Sequence, residues 1–305
     1  MMGGVWSGPE ANSPTIAVVM TVHNRREQTL ECIASLERQP LIGVQVGVFV
    51  TDDGSSDGTG CALGRVTGTT VVEGDGNLFW AGGMAIAERR AVATQPTWLL
   101  WLNDDVILDR TALSDMLAGS NRHPNSVIVG ATRDPNSGII TYGAHVRLGK
   151  HPMKVRQLGE SQTDQMASTF NGNCVLIPRH IRAQVGPIDG VFEHAMADTD
   201  YGYRTTAAGF SIVQIPGTVG VCARNPRSRT SDGTFFQRLR DARSPKAELP
   251  RRSHKRFLKR HGGRAWAIYY AVGRLNFVRK VLLPQPSKPL TSLLPKRSNP
   301  GQAKG

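Results

Sequence analysis

Two adjacent carboxylates, Asp104 and Asp105, directly follow the apolar run WLLWLN and are the residues best suited to hold a divalent cation. Burying two unpaired carboxylates side by side would carry a large free-energy penalty. Hard cations such as Mg²⁺ bind one or two protein carboxylates together with phosphate oxygens, and such a cation would offset the repulsion. The pair therefore predicts a site for a cation and a phosphate-bearing ligand at the mouth of a cleft.

Three further polar clusters each follow a short, β-branched apolar segment. They are HNR at 23–25, DD at 52–53 and GDGN at 74–77. Helical patterns of about 10 to 15 residues separate the apolar segments, which predicts an α/β fold with a mostly parallel central sheet and helices on both faces. Ligands bind beyond the carboxyl ends of the strands in such sheets, so the four clusters are expected to share one rim.

The bulk properties of the 305-residue chain exclude several classes of protein. No apolar run approaches the roughly 18 to 20 residues that span a bilayer, and the N-terminal residues have no signal-peptide pattern. The sequence lacks GKS or GKT, which excludes a P-loop, and GDGNLF is not a dinucleotide-binding fingerprint. The four cysteines are scattered without a CxxC pair, which favours reduced thiols in a cytoplasmic protein.

Charge divides the chain into an acidic body and a basic end. From Arg224 onwards there are 21 Lys or Arg residues against 3 acidic ones, whereas the first 223 residues hold 16 basic against 21 acidic residues. Basic and aromatic residues alternate over 251–280, which suits an anionic membrane surface or RNA. We predict a flexible leader at 1–14, a basic, aromatic-containing helical extension at 224–283 and a disordered tail at 284–305.

Six segments in this order resemble the inverting glycosyltransferases of family 2, which have the GT-A fold. They are TVHNRREQTLECIASL, VTDDGSSDGT, GDGNLFWAGGM, WLNDDV, FNGNCVLIPR and ADTDYGYRTTAAG, and the third and fifth are similar to the rhamnosyltransferase-type branch. The resemblance covers about residues 15 to 225, and it implies a GT-A domain at 15–223. It also implies metal-dependent transfer of a sugar, using Mg²⁺ or Mn²⁺, from a nucleotide-diphosphate donor to a hydroxyl of a glycan or lipid-linked glycan.

The resemblance assigns roles at the donor site residue by residue. It gives metal coordination to Asp105 and a contact with ribose or metal to Asp104. The chemistry needs such a metal ion, since it can neutralise the departing diphosphate. Asp52 and Asp53 take the place of the acidic turn that holds the nucleotide, where a carboxylate can accept from a base N–H or a ribose hydroxyl. Further nucleotide or donor contacts are predicted for Thr21, Asn24, Arg25 and Asn77. Contacts with the donor sugar and the acceptor are predicted for Trp80, Gly172 and Asn173.

Asp198 matches the aspartate that serves as catalytic base in the family's ED motif. A carboxylate within hydrogen-bond reach can take the proton of the attacking hydroxyl. Here Ala197 replaces the usual Glu, which leaves Asp200 as a second candidate, although an ion pair with Arg204 four residues later gives Asp200 a structural role. The His that many relatives carry after the last strand is also absent, and Cys222 or Arg224 occupies that region.

Three other functions stay open at this point. A nucleotide-sugar-binding protein without transferase activity would explain the missing Glu, and a sugar nucleotidyltransferase is the alternative enzyme. Nucleic-acid binding would rest on the basic end alone, and nucleic acid is not the expected partner. The lipid-linked acceptors of the resembled enzymes favour a membrane surface instead, so we predict a cytoplasmic enzyme peripheral to the inner face of the membrane.

Overall fold

The structure is a computed structural model that describes residues 13–192, 195–224, 235–243, 247 and 249–283. Most of the predicted leader and all of the predicted tail at 284–305 lie outside the described residues. The elements follow the chain as alternating strands and helices up to α4, and then as short strands, two helices, two further strands and a helical C-terminal part.

The strands are β1 (Thr15–Val22), β2 (Gln45–Asp52), β3 (Thr69–Glu73), β4 (Trp98–Leu102), β5 (Ile107–Leu108), β6 (Ser126–Val129), β7 (Thr132–Arg133), β8 (Ile140–Tyr142), β9 (Ala144–Arg147), β10 (Val155–Gln157), β11 (Gln165–Met166), β12 (Thr169–Phe170), β13 (Cys174–Pro178), β14 (Ser211–Gln214) and β15 (Gly220–Val221). The α-helices are α1 (Arg26–Glu37), α2 (Thr59–Leu63), α3 (Phe79–Val92), α4 (Ala112–Arg122), α5 (Arg179–Val185), α6 (Ala197–Ala207), α7 (Phe235–Arg243), α8 (Arg251–His261) and α9 (Trp266–Leu282). A 3-10 helix, Gly263–Ala265, joins α8 to α9.

The central sheet has the strand order β11-β14-β6-β13-β4-β1-β2-β3. Strands β3, β2, β1 and β4 are parallel, as the alternation of strands and helices predicts. The other half is mixed, because β13 runs antiparallel to both β4 and β6. A parallel connection needs a long crossover, usually a helix. Between β6 and β13 the chain instead forms short strands, most of which belong to two small sheets of three and four strands.

Helices cover both faces of the sheet, as predicted. Alternate residues of β1 point to opposite faces, so that Val19 packs in one apolar core and Val18 in the other. One core includes side chains of α3, α5, α6 and α8, and the other includes side chains of α1, α2 and α4. This double layer holds the carboxyl ends of the parallel strands rigidly at one edge.

The helical C-terminal part is packed against the rest of the fold. Phe257 and Leu258 of α8 are buried in the same core as α3 and α6, and the Phe257 ring lies 6.1 Å from that of Tyr203. Trp266, Tyr269 and Tyr270 pack against the edge of that core. Within the described part of the chain, no helix is both long and apolar enough to cross a membrane.

Candidate active site

One cleft lies at the carboxyl ends of β1, β2 and β4. Register brings these ends together, since Val22 of β1 pairs with Asp52 of β2, and β4 lies on the other side of β1. The residues that line this cleft include members of all four predicted polar clusters. The lining residues are Thr21, Val22, His23, Arg25, Asp53, Gly76, Phe79, Trp80, Asn103, Asp104 and Asp105.

Asp104 and Asp105 share one guanidinium, which partly offsets their mutual repulsion. Nη1 of Arg25 lies 3.2 Å from Oδ1 of Asp104 and 2.9 Å from Oδ2 of Asp105. Burial raises the pKa of Asp104 to about 6, Arg25 opposes this rise, and the neighbouring Asp105 charge adds to it. The two neighbouring carboxylates therefore still repel each other in the cleft, and a cation would offset this repulsion.

The donor set of this pair fits a hard divalent cation. The described residues contain no group of three or more His, Cys, Asp or Glu side chains arranged to hold a metal. Two carboxylates nevertheless suffice for Mg²⁺ or Mn²⁺ when substrate phosphates and water supply the other ligands. The raised pKa of Asp104 and the guanidinium between the carboxylates both indicate a place where a cation is stabilised.

Cys222, which follows β15, is a neighbour of Asp105. Its thiol donates a hydrogen bond of 3.4 Å to Oδ1 of Asp105. Burial, and next the charge of Asp105, raise the pKa of this thiol far above its usual range. Arg224, the other candidate for this region, donates to the carbonyl of Thr141 and to Gln157. Cys222 therefore lies beside Asp105 as a neutral thiol, and Arg224 contacts other groups.

Asp53 organises the glycine-rich loop that follows β3. Its carboxylate accepts hydrogen bonds from the backbone N–H groups of Gly76, Leu78 and Phe79. A Cβ on Gly74 would lie 2.8 Å from Oδ1 of Asp53, so this close approach requires glycine. Phe79 begins α3 with φ of +54°, which is unfavourable for a bulky residue and is held here by the Asp53 hydrogen bond. Asp53 thus lines the cleft while it fixes the loop.

Three of the residues predicted to contact the nucleotide do not line the cleft. Oδ1 of Asp52 accepts from the N–H of Ser55, which closes the acidic turn. Asn24 has φ of +52° and accepts from the N–H of Ser56, so it ties the end of β1 to the same turn. Asn77 is exposed and donates to the carbonyl of Asp75. Their predicted contacts with the nucleotide stay predictions.

Trp80 connects the two sides of the cleft. Its Nε1–H donates a hydrogen bond of 2.9 Å to Oδ1 of Asn103, which fixes the side chain that precedes Asp104. The other edge of the ring lies against Gly172, where a Cβ would come within 2.6 Å of Cη2. Asn173 holds the same segment, since its carbonyl accepts from the N–H of Asn103.

Asp198 lies in the first turn of α6 beside Gly172. Oδ2 of Asp198 accepts from the N–H of Gly172 at 3.2 Å, and Oδ1 accepts from its own neighbour Thr199 at 2.7 Å. Asp200 is fully buried, and the predicted pair with Arg204 is present at 2.8 Å. Asp198 is therefore the carboxylate that faces the segment next to Trp80, whereas Asp200 is enclosed by cations.

The family model for glycosyl transferase family 2 matches residues 17–181, which is more than half of the chain. The chain belongs to glycosyl transferase family 2. A curated relative in this family, the N-acetylglucosaminyl-diphospho-decaprenol L-rhamnosyltransferase of Mycobacterium tuberculosis (strain CDC 1551 / Oshkosh), is 25% identical over 229 residues. That match covers 67% of this chain and 73% of the relative. The protein is therefore a glycosyltransferase, and the predicted family is confirmed.

Solved glycosyltransferase structures confirm the GT-A fold. S. aureus TarS 1–349 has a TM-score of 0.53 and 14% identity, covering 88% of this chain and 81% of its own. GalNAc-T7 with UDP, GalNAc and Mn²⁺ has a TM-score of 0.60 and 11% identity, covering 90% of this chain and 56% of its own. The mannosyltransferase PcManGT from Pyrobaculum calidifontis, in complex with GDP-Man and Mn²⁺, has a TM-score of 0.50 and 18% identity, covering 90% and 77%.

The sequence did not single out several residues of this family 2 site. His23 lines the cleft and donates from Nδ1 to the carbonyl of Asp53 at 2.6 Å, which places its ring beside the acidic turn. Its position in a strand-end cluster was a usable signal, whereas nothing in the sequence marks the positive φ of Phe79. His145 of β9 was also not singled out. Burial lowers its pKa, and the charge of Asp198, the candidate base, opposes this decrease.

Proposed function

We propose that the protein is a metal-dependent, inverting glycosyltransferase that moves a sugar from a nucleotide-diphosphate donor to a hydroxyl of a lipid-linked glycan. The observation that carries this proposal is the pair of Asp104 and Asp105, which shares one guanidinium at the end of β4. The same cleft contains Trp80, whose ring lies against Gly172. The N–H of Gly172 in turn donates a hydrogen bond to the candidate base Asp198. Cation, donor and base would then meet around one sugar position.

Asp105, with Asp104, would hold Mg²⁺ or Mn²⁺ on the donor side. When bound, such a cation supplies Lewis-acid stabilisation of the leaving diphosphate. Arg25 already carries a positive charge between the two carboxylates and is placed to pair with a diphosphate oxygen as the donor enters. Thr21, Asn24, Asp52, Asp53 and Asn77 complete the proposed nucleotide site around the acidic turn and the loop after β3.

Asp198 would act as the base on the acceptor side. Its carboxylate accepts hydrogen bonds from the N–H groups of Gly172 and Thr199, which orient it, and it would accept the proton of the attacking hydroxyl. Attack from the face opposite the diphosphate inverts the anomeric centre. Trp80, Gly172 and Asn173 border the space where donor sugar and acceptor would meet, and the indole offers a flat apolar face for a sugar ring.

The substrate class comes from the relative and its branch. The mycobacterial relative is named for transfer of L-rhamnose to N-acetylglucosaminyl-diphospho-decaprenol. With 25% identity over two thirds of the chain, we propose L-rhamnose as the first donor sugar to test and a polyprenyl-diphosphate glycan as the acceptor. Such a reaction belongs to the synthesis of a cell wall or other surface polysaccharide.

The C-terminal helices would bring the enzyme to the membrane that carries this acceptor. The outward side of α9 exposes Ile268, Val272, Leu275 and Leu282, which follow one another at helical spacing and are 52–69% exposed. Arg279, one turn after Leu275, lies on the same side, and 250–283 contain no acidic residue. An apolar stripe on a helix that has basic but no acidic residues fits an anionic lipid surface better than a second copy of itself.

Flotation with vesicles containing phosphatidylglycerol tests this membrane contact. Leu275→Glu should lower the floated fraction severalfold, whereas Ile139→Glu, a matched change at an exposed residue of another surface, should leave it unchanged. Equal flotation of the two variants would remove the role of α9. A change in oligomeric state of Leu275→Glu in the ultracentrifuge, without loss of flotation, would instead indicate a second copy.

A panel of nucleotide-diphospho sugars, including nucleotide-activated L-rhamnose, tests the catalytic proposal. We expect one donor to stabilise the protein in the presence of Mn²⁺ and to be turned over with a short-chain N-acetylglucosaminyl-diphospho-prenol in detergent. Asp198→Asn should lower kcat by about 10²- to 10⁴-fold while donor binding persists. Donor binding without turnover in the wild-type chain would favour a binding protein, and no stabilisation by any donor would contradict both functions.

A further inference from the structure

The C-terminal end of α8 contacts the buried carboxylate of Asp200 in α6, which lies two residues after the proposed base, Asp198. Arg260 donates two hydrogen bonds from Nη1 to the carboxylate of Asp200, at 2.6 and 2.7 Å. His261 lies 2.8 Å from the same carboxylate through Nε2. Asp200 is fully buried, and with Arg204 it has three cationic or potentially cationic partners.

Arg260 also reaches a second carboxylate at the start of the segment that leads into α6. Its Nη2 lies 2.9 Å from Oδ2 of Asp189, and Arg256 binds the same oxygen at 2.7 Å. One guanidinium of α8 thus joins two acidic residues that flank the start of α6. We call Arg256, Arg260 and His261 the α8 clamp.

The first turn of α6 depends on such tertiary contacts for its orientation. Its N-cap residue, Met196, has φ of +78° and provides no side-chain capping hydrogen bond. On the side towards β12, Oγ1 of Thr169 donates to the carbonyl of Thr199 at 3.0 Å. On the other side the α8 clamp holds Asp200. Asp198 directly precedes these two attached residues in the chain, and its carboxylate accepts a hydrogen bond from the N–H of Gly172.

The charge balance shows that the α8 clamp holds Asp200 in its ionised form. Burial alone would raise the pKa of Asp200, yet its pKa is lowered, because hydrogen bonds from His261 and Arg260 and the charge of Arg204 outweigh burial. A buried charge of this kind is destabilising unless its partners stay in place. The attachment of α8 is therefore made through directional hydrogen bonds to a buried charge.

We propose that Arg260 and His261 are positioning residues for the transfer reaction: through Asp200 they fix the first turn of α6, and thereby the direction of the Asp198 carboxylate. The inference rests on the proposed role of Asp198 as base. It gives part of the basic C-terminal region a function inside the transferase, distinct from contact with an anionic surface. Misplacement of a catalytic group by about 1 Å can cost about 10²-fold in rate, so a loosened turn should be visible in kcat.

Amide hydrogen exchange of the full-length chain tests the attachment without any substrate. Arg260→Gln should speed exchange in the peptide that contains the first turn of α6 by at least about tenfold, and leave β1 and β4 unchanged. Arg252→Gln is the matched control, since Arg252 is an exposed arginine of the same helix. Unchanged exchange in α6 of Arg260→Gln would overturn the proposal, whatever the outcome of the donor panel.

Steady-state kinetics then distinguish positioning from simple structural support. With the donor that the wild-type chain turns over and the short-chain prenol acceptor in detergent, Arg260→Gln should lower kcat by about 10- to 100-fold and leave the donor KM within about twofold. Arg260→Lys keeps a charge but cannot bridge two carboxylates, and should lose less. In an Asp198→Asn background, Arg260→Gln should add no further loss of kcat. Equal losses in both backgrounds, or an unchanged kcat, would overturn the positioning role.

Discussion

Asp104 and Asp105 share the guanidinium of Arg25, whereas the single carboxylate of Asp200 contacts Arg204, Arg260 and His261. The consequences for ionisation are opposite. Burial raises the pKa of Asp104 to about 6, while the pKa of Asp200 is lowered despite burial. A buried acidic pair whose members repel each other is suited to receive a cation, and a carboxylate that contacts three basic side chains is suited to hold helices together. The two clusters therefore differ in charge balance, which supports the proposed cation site in the first and a structural role for the second.

The largest effect is expected at the ligand site. Asp105→Asn should lower turnover by about 10²- to 10³-fold, because a neutral amide binds Mg²⁺ or Mn²⁺ poorly and the leaving diphosphate loses its counter-charge. Initial rates at saturating donor, with metal titrated, measure this loss. Asp115→Asn, at an acidic residue on the exposed side of α4, is the control. Full activity of Asp105→Asn after removal of metal with a chelator would contradict the assignment.

The next effect sharpens the comparison through stability. Asp200→Asn should lower the free energy of unfolding by about 3 kcal/mol, because it leaves partly buried cations without their carboxylate. Asp104→Asn should cost almost nothing or stabilise the fold, since it removes one of two repelling charges. Urea unfolding at pH 7.5 measures both. Equal destabilisation by the two substitutions would show that the charge balance of the two clusters does not differ in the way described.

A pH series tests the same difference. The folded pKa of Asp104 is about 6, above the value of an unfolded Asp, so its contribution to stability is present at low pH and is lost as pH rises towards 6. Cation binding needs the ionised carboxylate and should weaken about tenfold between pH 7.5 and pH 5. Titration with Mn²⁺, followed by the signal of free Mn²⁺, measures this. The change should be smaller in Asp104→Asn; an identical pH dependence would exclude Asp104 as its source.

The smallest effect is expected for the thiol of Cys222, which lies next to the pair of Asp104 and Asp105. Cys222→Ser keeps a hydrogen-bond donor near Oδ1 of Asp105, so the donor KM should change by about twofold or less. Cys222→Ala removes the donor and should change it slightly more. A loss of about tenfold or more in Cys222→Ser, measured with Mn²⁺ and compared with Cys61→Ser at an exposed cysteine, would show that sulfur itself contributes to metal binding.

Sequence reasoning recovered the parallel half of the fold and most of its strand-end clusters, because TIAVVMTV and WLLWL are short apolar runs that end abruptly at polar residues. The expectation of a mostly parallel sheet did not specify that β13 runs antiparallel to β4 and β6, because short strands without helical spacers do not indicate their direction. Sequence reasoning also assigned Asp52 and Asp53 together to the nucleotide, which stays a prediction. In the structure Asp53 lines the cleft and binds the loop after β3, while Asp52 closes its own turn.

The sequence alone determined that the chain is a family 2 glycosyltransferase with carboxylates at the ends of parallel strands, since strand alternation and the order of motifs are local properties. Only the tertiary structure decided how the charges are distributed. Arg25 reaches Asp104 and Asp105 across 79 and 80 residues, and Arg260 reaches Asp200 across 60. Helical spacing indicates a local pair such as Asp200 and Arg204, but it gives no indication of pairs between distant elements, because those depend on burial and on how the elements pack.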